Sequence, residues 1–228
     1  MQKRFSILST KELKADTLAA AEGTRFDITC IPFIRIEFVA MEALAQKPRP
    51  KGTGIFTSVN AVNAYVSGRA NLPEIDCVYC IEGATSEAVQ ALLPEATLLA
   101  TSPYAVELLL HIVAQHMQEP LYFFSGDQRL STIPDGLTKL GIAFEEIGLY
   151  KTILQTAPVK KQYDALLFFS PSAVSSFFRT NTIAEKTTVF AIGHTTARAL
   201  EGLVDKVMVC DRPREASLLQ FAMEYFEQ

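Results

Sequence analysis

The chain is poor in the residue that metal centres and general bases use most, with three histidines in 228 residues. His111 and His116 stand about 140° apart around a helical pattern, which is the wrong spacing for a shared metal. The four cysteines, Cys30, Cys77, Cys80 and Cys210, all fall in apolar, strand-like stretches. "CVYC" at 77–80 has CxxC spacing, but a strand sends positions i and i+3 to opposite faces. The cysteines therefore read as small buried hydrophobes rather than a redox or zinc pair. No run approaches the ~20 apolar residues of a membrane span. The N-terminal "MQKRFSILSTKELKAD" lacks the apolar core of a secretory signal, so the expectation is a cytoplasmic protein.

A formal net charge of −4 leaves no surplus of cations for duplex nucleic acid. The densest basic run, "QKPRPKG" at 46–52, reads as a solvated loop. GxGxxG, Walker and GxSxG patterns are all missing, which argues against a dinucleotide, a nucleoside triphosphate and serine-hydrolase chemistry.

What is present is a composition able to bury real cores, 49% hydrophobic and 20% charged. Strand-like runs at 5–8, 26–32, 54–58, 75–81, 96–100, 121–125, 143–150, 164–170, 187–192 and 206–210 alternate with helical patterns. Among the helical patterns are "YAVELLLHIVAQHM" and "REASLLQFAMEYF". Such alternation predicts an α/β protein with mainly parallel sheet.

The chain also repeats itself. "IFTSVNAVNAY" (55–65) matches "LFFSPSAVSSF" (167–177) at an offset of 112. "YCIEGATSEAV" (79–89) matches "FAIGHTTARAL" (190–200) at 111, and "TSPYAVELLL" (101–110) matches "DRPREASLLQ" (211–220) at 110. A strand–helix–strand unit at the start resembles one in the middle, with Gly23 and Gly141 before its second strand. Two copies of one five-stranded unit follow. The first piece finds a partner only in the last third of the chain, so one domain is expected from 1–33 with 156–228. The other is expected from 38–150. The linkers, 34–37 and 151–155, are β-prone and could pair as a two-stranded ladder.

Polar residues gather at the C-terminal ends of the strands, the edge where open α/β sheets bind ligands. Thr57, Ser58 and Asn60, then Ser125 and Gly126, lie in one copy. Ser170 and Ser172, then Gly193, Thr195 and Thr196, lie in the other. Each hydroxyl could serve only as a helix cap, but helix N-termini repeated in two copies suit carboxylates or phosphates. Tyr150 ends a strand beside the proposed linker, where a phenol can face the interdomain space and donate a proton.

"YDALLFFSPSAVSSF", "AIGHTTARAL", "FFSGDQRL" and "LYKT" together resemble the corresponding blocks of the uroporphyrinogen-III synthase family. The resemblance implies two flavodoxin-like domains with a discontinuous first domain, joined by a two-stranded ladder. It implies closure of linear hydroxymethylbilane to uroporphyrinogen III with inversion of ring D, without metal or organic cofactor. Tyr150 in "LYKT" matches the family tyrosine considered the acid, and the Ser, Thr, Asn and Gly turns match those that hold carboxylates. The linear tetrapyrrole is then the ligand, the upstream deaminase a transient partner, and a monomer the expected state. The chain departs from the family pattern at Lys11 and Lys14, where an Arg is frequent, and at His194, where the residue is usually less bulky. The rival from another class is a non-catalytic two-domain module that binds a small acid or tetrapyrrole.

Overall fold

Strands that read as unbroken apolar runs are strands covered on both faces, and parallel sheets need that cover. The computed structural model describes residues 3–40, 44, 48–115 and 120–227. It buries Leu121–Gly126 and Ala165–Phe168 at every position. In chain order the strands are β1 (Phe5–Ser9), β2 (Phe26–Cys30), β3 (Ile34–Phe38), β4 (Gly52–Phe56), β5 (Ile75–Ile81) and β6 (Thr97–Ser102). Then come β7 (Leu121–Gly126), β8 (Glu145–Leu154), β9 (Ala165–Phe168), β10 (Thr188–Ala191) and β11 (Val207–Val209). The helices are α1 (Ala15–Ala19), α2 (Val59–Gly68), α3 (Ala84–Leu92) and α4 (Ala105–Gln115). They continue with α5 (Thr132–Lys139), α6 (Pro171–Phe177), α7 (His194–Leu200) and α8 (Glu215–Tyr225).

The chain divides into two compact units, Met1–Arg35 with Ile153–Gln228, and Ile36–Thr152. The sheet of the first has the order β11-β10-β9-β1-β2, all neighbours parallel. The other sheet has the order β3-β8-β7-β4-β5-β6, parallel from β8 to β6. Equating β4, β5, β6, β7 and β8 with β9, β10, β11, β1 and β2 makes the two orders identical apart from β3, which has no counterpart. Numbered along its own chain, the first sheet has the flavodoxin order 2-1-3-4-5, and the second is a circular permutation of it.

The repeat holds at the level of single side chains. Ser58 and Ser170 are both N-caps, Val62 and Val174 both turn into a core, and so do Tyr65 and Phe177. Helices α4 and α8 begin at the same offset, and Leu108 and Leu218, equivalent by it, are each 0% exposed. Each sheet carries one core per face. In the second unit α2 and α3 cover the face with Phe56 and Phe124, while α4 and α5 cover the face with Ile55 and Phe123. In the first, α6 and α7 cover Leu8 and Phe168, and α1 and α8 cover Ile7 and Leu167. Gly23 and Gly141 have φ of 71° and 68°, the left-handed region where a helix is turned back into a strand.

Several boundaries differ from the sequence reading. Residues 143–150 and 151–155 do not form a strand and a separate linker: β8 runs through ten residues, and its second half holds no Gly or Pro to break it. Strand β2 stops at Cys30, before Pro32, and β4 runs from Gly52 to Phe56, which leaves Thr57 and Ser58 beyond its end. The basic run is not simply solvated. Arg49 is 12% exposed at its side chain, pairs with Glu145 at 2.9 Å and donates to the Leu44 carbonyl, while Gln46 and Lys47 lie outside the described residues. None of the four thiols is in a disulfide. Cys80 and Cys210 are buried, and burial pushes Cys80 up to about 11, but Cys30 and Cys77 are only half-buried. His111 is exposed on α4, and His116 lies outside the described residues.

Equivalent core positions should cost alike. Leu108→Ala and Leu218→Ala are each expected to destabilise the protein by ~2–5 kcal/mol, against ~0.5 kcal/mol or less for the exposed Leu110→Ala. Urea unfolding of the three variants checks this.

Candidate functional site

Where a parallel sheet reverses its winding, the helices after the two central strands leave on opposite faces. The C-terminal ends of those strands then stay uncovered. In the second unit the central strands are β4 and β7, followed by α2 on one face and α5 on the other. Ser58 follows β4 in extended backbone, and its Oγ accepts from the Asn60 amide at 3.1 Å to cap α2. The Tyr150 phenol, carried by β8, donates to the same Oγ at 3.0 Å.

Two features of the β7–β8 pair bring the phenol there. The β7–β8 register shifts so that Ser125 faces Gly148 but Gly126 faces Tyr150, a bulge that re-aims the strand. Gly126 then lies flat against the tyrosine ring, and any Cβ at this position would overlap the ring carbons. Tyr150 is half-buried. Burial pushes its phenol above the ordinary tyrosine value and the charge of Asp127 adds to this, against the hydrogen bond with Ser58. A phenol so placed stays protonated at neutral pH and can act as an acid.

Ser125 is placed differently. It is buried, and its hydroxyl donates to Glu146 at 2.7 Å. The same carboxylate takes both Nε and Nη2 of Arg129, at 2.7 and 2.8 Å. The Arg129 hydrogen bonds, helped by Ser125, hold Glu146 below the usual carboxylate range in spite of burial. The Ser125 hydroxyl is therefore committed to Glu146. Thr57 and Asn60 are half-buried beside Ser58.

In the first unit Ser170 caps α6 by accepting from the Ala173 amide at 3.1 Å, and its Oγ lies 3.3 Å from that of Ser172. Gly193 is extended backbone at the entry to α7, where its carbonyl accepts from the Thr196 and Ala197 amides. Thr195 is exposed, but Thr196 is 3% exposed, as buried as its repeat partner Thr85, and α7 has no side-chain cap. The Thr196 side chain thus packs under the helix. His194, the first residue of α7, is exposed. Lys11 is tied to Glu215 at 2.6 Å. That carboxylate is partly buried, yet Lys11 and the Lys14 amide keep it below its usual range.

The repeat is chemically lopsided. Aligned on Gly23 and Gly141, Pro32 stands at the position of Tyr150 and Ile28 at that of Glu146. Only the second unit has the phenol. The sequence places Asp127 with the polar turn after β7 but gives no sign of Arg129 and Glu146. Arg129 and Glu146 are 17 residues apart, so only the β7–β8 pairing joins them. Among the described residues no three His, Cys, Asp or Glu side chains gather as a metal ion requires, and no helix is long and apolar enough to cross a membrane.

A family model described as Uroporphyrinogen-III synthase HemD matches residues 15–220. The chain belongs to the uroporphyrinogen-III synthase family. Solved structures agree on the fold. The uroporphyrinogen-III synthetase of Helicobacter pylori superposes with a TM-score of 0.71 at 17% identity, covering 98% of this chain and 100% of that one. A mutant uroporphyrinogen III synthase of the extremely thermophilic bacterium Thermus thermophilus gives 0.59 at 16% identity, covering 98% and 99%. A search of curated proteins gave no match.

Two outcomes are expected of this family member's tyrosine. In a titration of the phenol followed by its ultraviolet absorbance, Tyr150 should ionise above the ordinary value of about 10, so the protonated form persists through the neutral range. Gly126→Ala should push the ring out of its buried position. The lost burial, the largest cause of the raised value, should lower that titration toward the ordinary value even as the Ser58 bond is lost, with Tyr150→Phe identifying the signal.

Proposed function

We infer that the protein acts as a uroporphyrinogen-III synthase, closing hydroxymethylbilane into uroporphyrinogen III with inversion of ring D. Family membership supports the overall reaction, and the observation that carries the mechanism is the half-buried, protonated Tyr150 phenol on Ser58.

The first step needs an acid. The terminal hydroxyl of the substrate leaves as water when it takes a proton, and the remaining pyrrole becomes an electrophilic azafulvene. Tyr150 supplies that proton, directly or through the Ser58 hydroxyl that it already touches. Ring D then attacks the azafulvene carbon through its substituted position to form a spiro intermediate. Fragmentation and reclosure at the other α-position invert the ring, and the proton lost on rearomatisation returns to the phenolate. The substrate closes unaided to the type I isomer, so the main task of the protein is to hold it in the other geometry.

The carboxylates of the octa-acid are assigned to the turns at the strand ends. Those are Thr57, Ser58, Asn60 and the Ser125–Gly126 backbone in the second unit. Ser170, Ser172 and the Gly193–Thr195 turn serve in the first, with Thr196 contributing its backbone. First-turn N–H groups lack partners inside their helices, which lets a protein of net charge −4 hold a polyanion through local dipoles. The working species is a monomer that receives its labile substrate by transient contact with the deaminase that makes it.

Tyr150→Phe should lower the rate of hydroxymethylbilane consumption by ~10²-fold or more with the circular dichroism unchanged. His194→Ala should stay within about twofold, since its side chain is exposed and makes no cap. A Tyr150→Phe enzyme with full turnover would remove the phenol from the mechanism.

A further inference from the structure

Strand β8 outruns its neighbour. The last paired residues of β7 and β8 are Gly126 and Tyr150, yet β8 continues to Leu154. On the edge of β8 that faced β7, one residue supplies the partners beyond the end of β7. The Asp127 amide donates to the Tyr150 carbonyl at 3.2 Å, and the Asp127 carboxylate accepts from the Thr152 amide at 2.9 Å. Its Oδ1 stands where the next carbonyl of β7 would be. Asp127 thus grips β8 at Tyr150 and two residues beyond.

The loop that carries Asp127 is itself fixed. The Arg129 amide donates to the Gly126 carbonyl at 3.3 Å, and the Arg129 side chain is held on Glu146 of β8, which also takes Ser125. Glu146 therefore ties both ends of the segment 125–129 to β8.

We propose that Asp127 is a positioning residue for the reaction. By completing the hydrogen bonding of β8 around Tyr150, it holds the phenol on Ser58 and against Gly126, in the orientation from which the proton is delivered. This rests on the assignment of Tyr150 as the acid. The charge of Asp127 acts in the same sense. Of the groups around the phenol, Ser58 from α2 and Gly126 from β7 are uncharged, whereas Asp127 favours the protonated form.

The test compares Asp127→Ala, Asp127→Asn and Tyr150→Phe in the full chain. The readouts are kcat and KM on hydroxymethylbilane generated in situ, and the titration of the Tyr150 phenol by the 13Cζ resonance of labelled tyrosine. Asp127→Ala should lower kcat by about tenfold with KM within about twofold, since the proton donor is misplaced and the binding turns remain. Asp127→Asn keeps an acceptor for the Thr152 amide and should recover most of kcat, while its phenol titrates below that of the unaltered protein. A phenol that titrates in Asp127→Ala as in the parent overturns the proposal, and so does an Asp127→Asn enzyme that loses about tenfold in kcat, an outcome that can be read even if Asp127→Ala does not fold. So does an Asp127→Ala enzyme with raised KM and undiminished kcat. A phenol that moves while Tyr150→Phe turns over fully leaves the positioning intact and removes the acid role instead.

Discussion

In each unit the reversal of winding at the centre of the sheet sets everything else. Helices that follow adjacent central strands must leave on opposite faces, because each face has its own core to close. In the second unit α2 closes over Phe56 and Phe124 and α5 over Ile55 and Phe123. The ends of β4 and β7 between them cannot be roofed by either helix. Polar residues tolerate that position since caps and water satisfy them, so it is where Ser58, Gly126 and Tyr150 collect. Removing the reversal would bury the strand ends and leave no room for a ligand.

Duplication then gives two such edges, and only one of them carries a phenol at this position. The first unit keeps the capping serine, Ser170, but has Pro32 where the phenol would be. The second keeps Ser58 and adds the phenol, the glycine that admits its ring and the bulge that aims it. A shared scaffold held to register by paired core residues such as Tyr65 and Phe177 thus tolerates divergence at the strand ends. Core residues answer to packing on every side, whereas residues of the uncovered edge answer only to their ligand.

The same contrast explains what could be read from the sequence. The sheets and their parallel order follow from apolar runs such as "DALLFFS" and from the repeat offsets, because these patterns are imposed by burial on both faces. Strand ends were less legible. The extension of β8 through Lys151–Leu154 reads as a separate segment until its pairing is known, and β2 ends short of Pro32. At the site, Tyr150 and Ser58 could be singled out by their place at strand ends. Their 3.0 Å contact could not, since it joins residues 92 apart. Thr196 looked like an outward hydroxyl and is packed under α7, because a first-turn helix position can face either way. Asp127 could be placed at the strand end but not its bond to the Thr152 amide, and Arg129 and Glu146 meet only across strands, which no local pattern announces.

The central claim is that this chain controls which macrocycle forms. It is tested most directly by generating hydroxymethylbilane in situ with the protein present, oxidising the products, and separating the porphyrin isomers by chromatography. The type III isomer should dominate and its fraction should rise with protein concentration. Type I porphyrin alone, at every protein concentration, would contradict the account.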